Sequence, residues 1–219
     1  MTLFIILGAT GDLAKKKLIP SIFNLVKKKE IGNFAILGTS IDDLSSYEVL
    51  KRSKPYVKNF DKDTWQKLKS NFHYHQFDFY DKNFCNLDVI IRGIEQKHNT
   101  KQRIFYLATL PRHFEAIAKS LNRCRISDNS KIVFEKPFGD DLKSAKRINE
   151  TIGEIFDEKQ IYRIDHYLGK ELVQNISILR FTNIMLSPLW NRDYIDHIQV
   201  ILSEKVGGEE RGALYDHYG

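Results

Sequence analysis

Between Arg163 and Glu171 the chain reads Arg163-Ile164-Asp165-His166-Tyr167-Leu168-Gly169-Lys170-Glu171. Two carboxylates, three cations or potential cations, a phenol and a glycine fall within nine residues. Neither a core strand nor a solvated helix face needs that mixture. Acid, base and positive charge at this density fit a site for an anionic, hydroxyl-bearing substrate. If a helix starts near Tyr167, His166 and Lys170 lie four residues apart on one face, where both can grip one phosphate. Asp165 then points elsewhere and is available to orient a base. A salt-bridged loop leading into a helix would also account for the same residues.

These side chains need a scaffold, and its pattern begins at the amino terminus. Leu3-Phe4-Ile5-Ile6-Leu7 is a short, continuously apolar run ending in glycine, as in a strand buried on both faces. Gly8-Ala9-Thr10-Gly11-Asp12-Leu13-Ala14 follows, then a helical stretch from Lys15 to Lys29. Strand, glycine turn and helix in this order open a dinucleotide fold. Glycine lets the backbone approach a pyrophosphate, and the helix amino terminus supplies amide donors and positive dipole. The turn is a shortened GxGxxG in which Ala14 takes the helix-packing position; such turns also occur without a ligand.

Further units alternate. Phe34–Gly38 reads as a second strand, followed by Thr39, Ser40, Ile41, Asp42 and Asp43. An acidic residue there bonds the adenosine ribose, whereas an arginine favours a 2′-phosphate. Segments 45–59 and 61–70 read as helices, with Pro55 breaking or ending the first. Strands are expected at 72–79, 103–108 and 131–134, with helices at 81–98, 112–122 and 140–157. The fifth strand runs into Glu135-Lys136-Pro137-Phe138-Gly139, which puts a lysine at the carboxyl end of a parallel strand, where open α/β sheets bind ligands. A short strand at 161–163 leads to the acid–base stretch and a helix at 170–180. Residues 194–202 then turn strongly strand-like. The expected architecture is a doubly wound parallel α/β sheet, Rossmann-like, over residues 1–160. Residues 161–219 form a substrate-site segment and the incomplete start of an α+β second domain.

Composition narrows the partners. Lys and Arg number 34 against 28 Asp and Glu, a net charge of +6, with the lysines spread along the chain rather than gathered on one stretch. Attraction of phosphorylated metabolites accounts for the excess without nucleic acid. Cys85 and Cys124 lack metal-ligand spacing and are too few for a disulfide framework, so they read as buried thiols in a reducing compartment. The apolar start is too short for a signal segment or a membrane span. A cytoplasmic protein with no metal, membrane or nucleic-acid partner is expected.

Four blocks, Gly8–Ala14, Glu135–Gly139, Arg163–Glu171 and Pro188-Leu189-Trp190-Asn191-Arg192, resemble the glucose-6-phosphate dehydrogenase family in order and spacing over essentially the whole chain. The resemblance implies oxidation of glucose 6-phosphate at C1 to 6-phosphogluconolactone, the first step of the pentose phosphate pathway, with hydride passed to NADP or NAD. It implies that Gly8, Ala9, Thr10, Gly11, Asp12, Leu13, Ala14 and Lys15 cradle the cofactor phosphates and that Lys136 touches both cofactor and sugar. His166, Tyr167 and Lys170 would hold the sugar phosphate, Glu204 the sugar hydroxyls, and Asp165 would orient the catalytic histidine.

The chain departs from the family pattern in three places. Ile41, followed by Asp42, stands where the family has an arginine for the NADP 2′-phosphate. The usual two prolines after the fourth strand are reduced to Leu110-Pro111. The family's histidine base falls a few residues beyond Gly219, and His217 sits at the wrong place to replace it. The chain is therefore expected to be truncated and inactive alone. The family's dimer or tetramer would rest on a sheet missing here. A non-catalytic NAD(P)-binding module, a redox sensor or regulatory subunit, is the alternative.

Overall fold

The structure, a computed structural model, describes residues 2–201. The chain divides into two compact units, 1–163 and 164–219. The first carries a six-stranded sheet. In chain order its elements are β1 (Thr2–Leu7), α1 (Ile19–Lys27), β2 (Phe34–Ser40), α2 (Ser46–Ser53), α3 (Lys62–Ser70), β3 (Phe72–Gln76), α4 (Asn86–His98), β4 (Gln102–Leu107), α5 (Phe114–Arg123), β5 (Ser130–Glu135), α6 (Leu142–Gly153) and β6 (Ile161–Ile164). The strand order is β3-β2-β1-β4-β5-β6, so the direction of winding reverses between β1 and β4. That reversal opens a crevice beyond the strands' carboxyl ends.

Central strands are covered on both faces, which is why β1 and β2 read as unbroken apolar runs. All seven residues of β2 are buried, whereas β3, at the sheet's edge, turns polar along His73-Tyr74-His75-Gln76. Leu3, Ile5, Leu7 and Leu37 pack with Leu87, Ile91, Phe114, Ile117, Leu121 and Ile152; Ile6 and Ile36 pack with Ile19, Phe23, Leu50, Trp65 and Leu68. Alternation along β1 thus feeds two cores, one from α4–α6 and one from α1–α3. Each fully buried Leu, Ile or Phe contributes about 1.5–3 kcal/mol relative to exposure.

Local chemistry sets the element ends. Ser45 and Glu48 form a reciprocal capping box that starts α2, Asp61 caps α3, and Asp141 with Ser144 caps α6. Pro55 lies in a short 3-10 turn, Lys54–Tyr56, that ends the expected 45–59 helix early. The helix expected from residue 81 starts only at Asn86. The Asp78 and Asp81 carboxylates accept the Tyr80 and Asn83 amides in local turns that compete with helix. Ahead of α1, Ala14–Leu18 is a π-helical turn in which the Ile19 amide reaches back to the Ala14 carbonyl. Pro20 follows directly, and a proline cannot donate into a regular helical ladder.

Two expectations are corrected. Cys85 and Cys124 are not free thiols: they form a disulfide across 39 residues, with Cα atoms 5.1 Å apart. Linear spacing could not reveal this pairing, because the fold brings the start of α4 to the end of α5. In the second unit, α7 (Glu171–Phe181) is the one regular α-helix among the described residues, and 194–201 form no strand. An apolar β-branched run needs partner strands to pair with, and Ile198, Val200 and Ile201 remain 71%, 79% and 82% exposed.

Candidate functional site

The parallel register aligns the sheet's carboxyl rim. Leu7 pairs with Thr39 on one side and Leu107 on the other, and Leu107 pairs with Phe134. The next residue on each strand, Gly8, Ser40, Ala108 and Glu135, therefore emerges at one level around the crevice.

Gly8 turns the chain there. Its φ is +95°, and a Cβ would lie 2.6 Å from the Ala108 carbonyl oxygen, so both conformation and space require glycine. The Gly8 and Ala9 amides donate to the Thr39 carbonyl, and Gly11 donates back to Gly8. The first helical bond runs from the Lys15 amide to the Gly11 carbonyl. The amides before Lys15 thus stand at a helix amino terminus, donors without intrahelical acceptors. Ala14 is fully buried, in keeping with a packing role. Asp12 receives the ammonium groups of Lys15 and Lys16, each at 2.7 Å, and these bonds hold its carboxyl below the usual range. A tight turn with no room for a side chain, basic residues and a helix start together fit a dinucleotide's pyrophosphate.

Beside it, Lys136 follows β5 as an exposed residue, joined to Pro137 by a cis peptide. Its neighbour Glu135 accepts a hydrogen bond from the Tyr106 hydroxyl at 2.6 Å. Burial first, then the Glu135 carboxylate, pushes the Tyr106 phenol far up, so it stays a neutral donor. Gly139 closes this loop, where a Cβ would lie 2.6 Å from the Ala145 amide nitrogen.

In the second unit, residues 166–169 form a turn rather than the expected start of a helix. The Asp165 carboxylate accepts the Tyr167 amide at 3.0 Å, the Asp165 carbonyl accepts the Leu168 amide at 3.2 Å, and the Lys170 amide bonds to Tyr167 at 3.1 Å. The clustering survives by this different route. The Lys170 ammonium stands 3.9 Å from the centre of the Tyr167 ring, and the His166 ring lies 4.8 Å from it on centroids. An imidazole, an ammonium and a phenol are thereby gathered about one point, with His166 and Lys170 exposed to solvent. Arg163 does not join them. It pairs with Glu158 at 2.7 Å and bonds Asn149, so its guanidinium braces the first unit. Farther along, Asn191 bonds the Pro188 carbonyl, and the Arg180 guanidinium faces the rings of Phe181 and Trp190.

The structure thus gathers Gly8–Lys15 and Glu135–Lys136 on the rim of the first unit, and Asp165, His166, Tyr167 and Lys170 in the second. Glu204 and His217 lie outside the described residues. Sequence reasoning missed two networks. Thr10, Ser40 and Asp42 are hydrogen-bonded together, and the Tyr74 hydroxyl donates to the Asp42 carbonyl at 2.6 Å. The Tyr106–Glu135 pair is the other. An acid beside Lys136 and a tyrosine in a buried strand were visible signals, but pairing them required the register.

Residues 5–175 match the family model described as glucose-6-phosphate dehydrogenase, NAD binding domain, and 177–219 match the C-terminal domain of the same family. Glucose-6-phosphate 1-dehydrogenase of Bacillus subtilis is 41% identical over 98% of the chain, which spans 45% of that protein. The Arabidopsis thaliana protein named glucose-6-phosphate 1-dehydrogenase 6, cytoplasmic, is 39% identical over 98% of the chain and is likewise spanned to 45%. A solved glucose-6-phosphate dehydrogenase in complex with its substrate glucose-6-phosphate superposes with a TM-score of 0.79. It is 33% identical, and the likeness covers 88% of this chain and 42% of that one. The chain therefore spans a little under half the length of the relatives it matches.

Proposed function

Since the chain belongs to the glucose-6-phosphate dehydrogenase family, we propose that it forms the cofactor-binding and phosphate-gripping part of an enzyme that oxidises glucose 6-phosphate at C1. The observation that carries this reading is the turn at Asp165–Lys170, which collects His166, Tyr167 and Lys170 beside a carboxylate fixed by the Tyr167 amide.

The residues on the rim fit a nicotinamide dinucleotide. The turn from Gly8 to Lys15 holds its phosphates at the helix start, while the Gly8, Ala9 and Gly11 amides bond within the fold and keep the turn tight against the Ala108 carbonyl. Bound there, NAD or NADP supplies the hydride acceptor. Lys136 contributes an exposed cation on the rim beside the dinucleotide. His166 and Lys170 hold the sugar phosphate by charge, and the Tyr167 hydroxyl adds a hydrogen bond. Glu204 accepts from the sugar hydroxyls. Asp165 orients the neutral histidine imidazole that takes the C1 hydroxyl proton and stabilises the imidazolium that results, so that the proton leaves the oxygen as the hydride leaves carbon. A positioned base of this kind contributes about a hundred- to ten-thousand-fold in rate.

We place the protein in the cytoplasm, as the Arabidopsis relative's name has it. No helix among the described residues is long and apolar enough to cross a membrane. The Cys85–Cys124 bridge no longer supports that location, because disulfides form most readily in oxidising compartments.

The test joins the chain in frame to the remainder of the Bacillus subtilis relative and follows reduced nicotinamide by its absorbance. Reduction that requires glucose 6-phosphate is expected, with KM for the sugar raised roughly tenfold or more by Lys170→Ala. Asp165→Asn should lower kcat about a hundredfold or more. Dinucleotide binding without sugar-dependent reduction would overturn the proposal in favour of a non-catalytic module.

A further inference from the structure

The end of β2 carries a fixed acid where a dinucleotide's adenosine ribose would lie. The Asp42 carboxylate accepts a hydrogen bond from the Thr10 hydroxyl, inside the glycine turn, and one from the Ser40 hydroxyl at 3.2 Å. Thr10 and Ser40 are themselves 2.8 Å apart on their hydroxyl oxygens. β3 clamps the same loop from its other side. The Tyr74 hydroxyl donates to the backbone carbonyl of Asp42, and the Gln76 amide to that of Ile41 at 2.9 Å. Tyr74 remains a neutral donor, since burial above all, and then the Asp42 charge, raise its phenol. Ile41, the residue between Ser40 and Asp42, is 63% exposed and offers no charge.

An acid after the second strand of such a sheet accepts hydrogen bonds from the ribose 2′- and 3′-hydroxyls, whereas a 2′-phosphate needs a cation there. Asp42 and Asp43 put only negative charge on this loop, and like charges brought together in a binding site cost enough to decide specificity. Resting on the reading of residues 8–15 as the dinucleotide turn, we propose that Asp42 is the specificity-determining residue of the cofactor site and selects NAD over NADP. Thr10 and Ser40 position its carboxylate. A cation that would challenge this assignment is Arg52 on α2, whose charge is felt at Tyr74.

Calorimetric titration of the 219-residue chain with NAD and NADP, one at a time, tests the proposal. Wild type should bind NAD more tightly, by about tenfold or more. Asp42→Asn keeps an oxygen for Thr10 but removes the charge, and should narrow or abolish the preference by strengthening NADP binding. Ile41→Arg together with Asp42→Ala should reverse it. An unchanged NAD:NADP ratio in both variants, with both dinucleotides still bound, overturns the assignment and leaves the dinucleotide turn intact. A wild-type preference for NADP that disappears in Arg52→Ala assigns the discrimination to Arg52 and likewise overturns it. Binding of neither dinucleotide overturns the reading of residues 8–15 and this inference with it.

Discussion

Helix α5 buries Phe114, Ile117, Ala118 and Leu121, spaced i, i+3, i+4 and i+7 along one stripe, while α7, one residue longer, buries none of its residues. Yet α7 is not polar. Leu172, Ile176, Ile178, Leu179 and Phe181 occupy several sides of it, and Leu172 and Phe181 are 75% and 74% exposed. A stripe can be satisfied by one sheet face, whereas a helix apolar all round needs cover on several sides. The described residues provide the first kind of partner and not the second. The contrast teaches where stability resides: the first unit holds itself together through two cores, and the second displays Asp165, His166, Tyr167 and Lys170 on a turn ahead of a helix that buries nothing.

Matched truncations put the largest strain on that comparison. Phe105, fully buried in β4, should cost about 3–5 kcal/mol when changed to alanine. Phe181→Ala should stay within about 0.5 kcal/mol. Urea unfolding of the two variants checks this, and equal losses would break the distinction between units. Next in size is the Cys85–Cys124 bridge, which encloses the whole of α4, β4 and α5. A double serine variant, or reduction, should cost about 2–4 kcal/mol by loop-closure reasoning, read as a drop in Tm within the first unit. No change on reduction would mean that the bridge adds nothing to the core.

A smaller effect is expected at Gly8→Ala. A side chain at φ +95° against the Ala108 carbonyl should cost about 1–3 kcal/mol and remove the Tm increase produced by dinucleotide. The smallest is a pH dependence from His73 and His98, whose ring nitrogens lie 2.9 Å apart. Burial, ahead of the neighbouring Lys97 charge, lowers both in the folded state. The unfolded chain then binds more protons, so this stability is present above the ordinary histidine pKa of about 6.5 and is lost as pH falls below it through the lowered folded-state values. Unfolding followed across that range should flatten in His73→Asn/His98→Asn. A slope unchanged in the double variant would place the titration elsewhere.

Much of the first unit was legible because local pattern and burial coincide there. Leu3–Leu7 and Phe34–Gly38 read as apolar because both faces are covered, and Gly8 announced its turn through a conformation other residues avoid. The start of α4 was misplaced because Asp78 and Asp81 draw the backbone into side-chain turns. The strand expected at 194–202 failed because β-branched residues state a preference that only a partner strand can realise. Asp165, His166, Tyr167 and Lys170 were identifiable by type, although a turn rather than a helical face brings three of them together. Thr10 with Asp42, Tyr106 with Glu135, and Cys85 with Cys124 were hidden, since each pair meets only through tertiary structure.

The central claim is that the turn at Asp165–Lys170 recognises the phosphate of glucose 6-phosphate. Equilibrium titration of the 219-residue chain with glucose 6-phosphate, glucose and inorganic phosphate tests it most directly. The account predicts saturable binding of glucose 6-phosphate, weaker binding of phosphate and none of glucose, with a loss of roughly tenfold or more in His166→Ala/Lys170→Ala. Glucose 6-phosphate binding that survives that double substitution undiminished, in a variant with wild-type Tm, would contradict it.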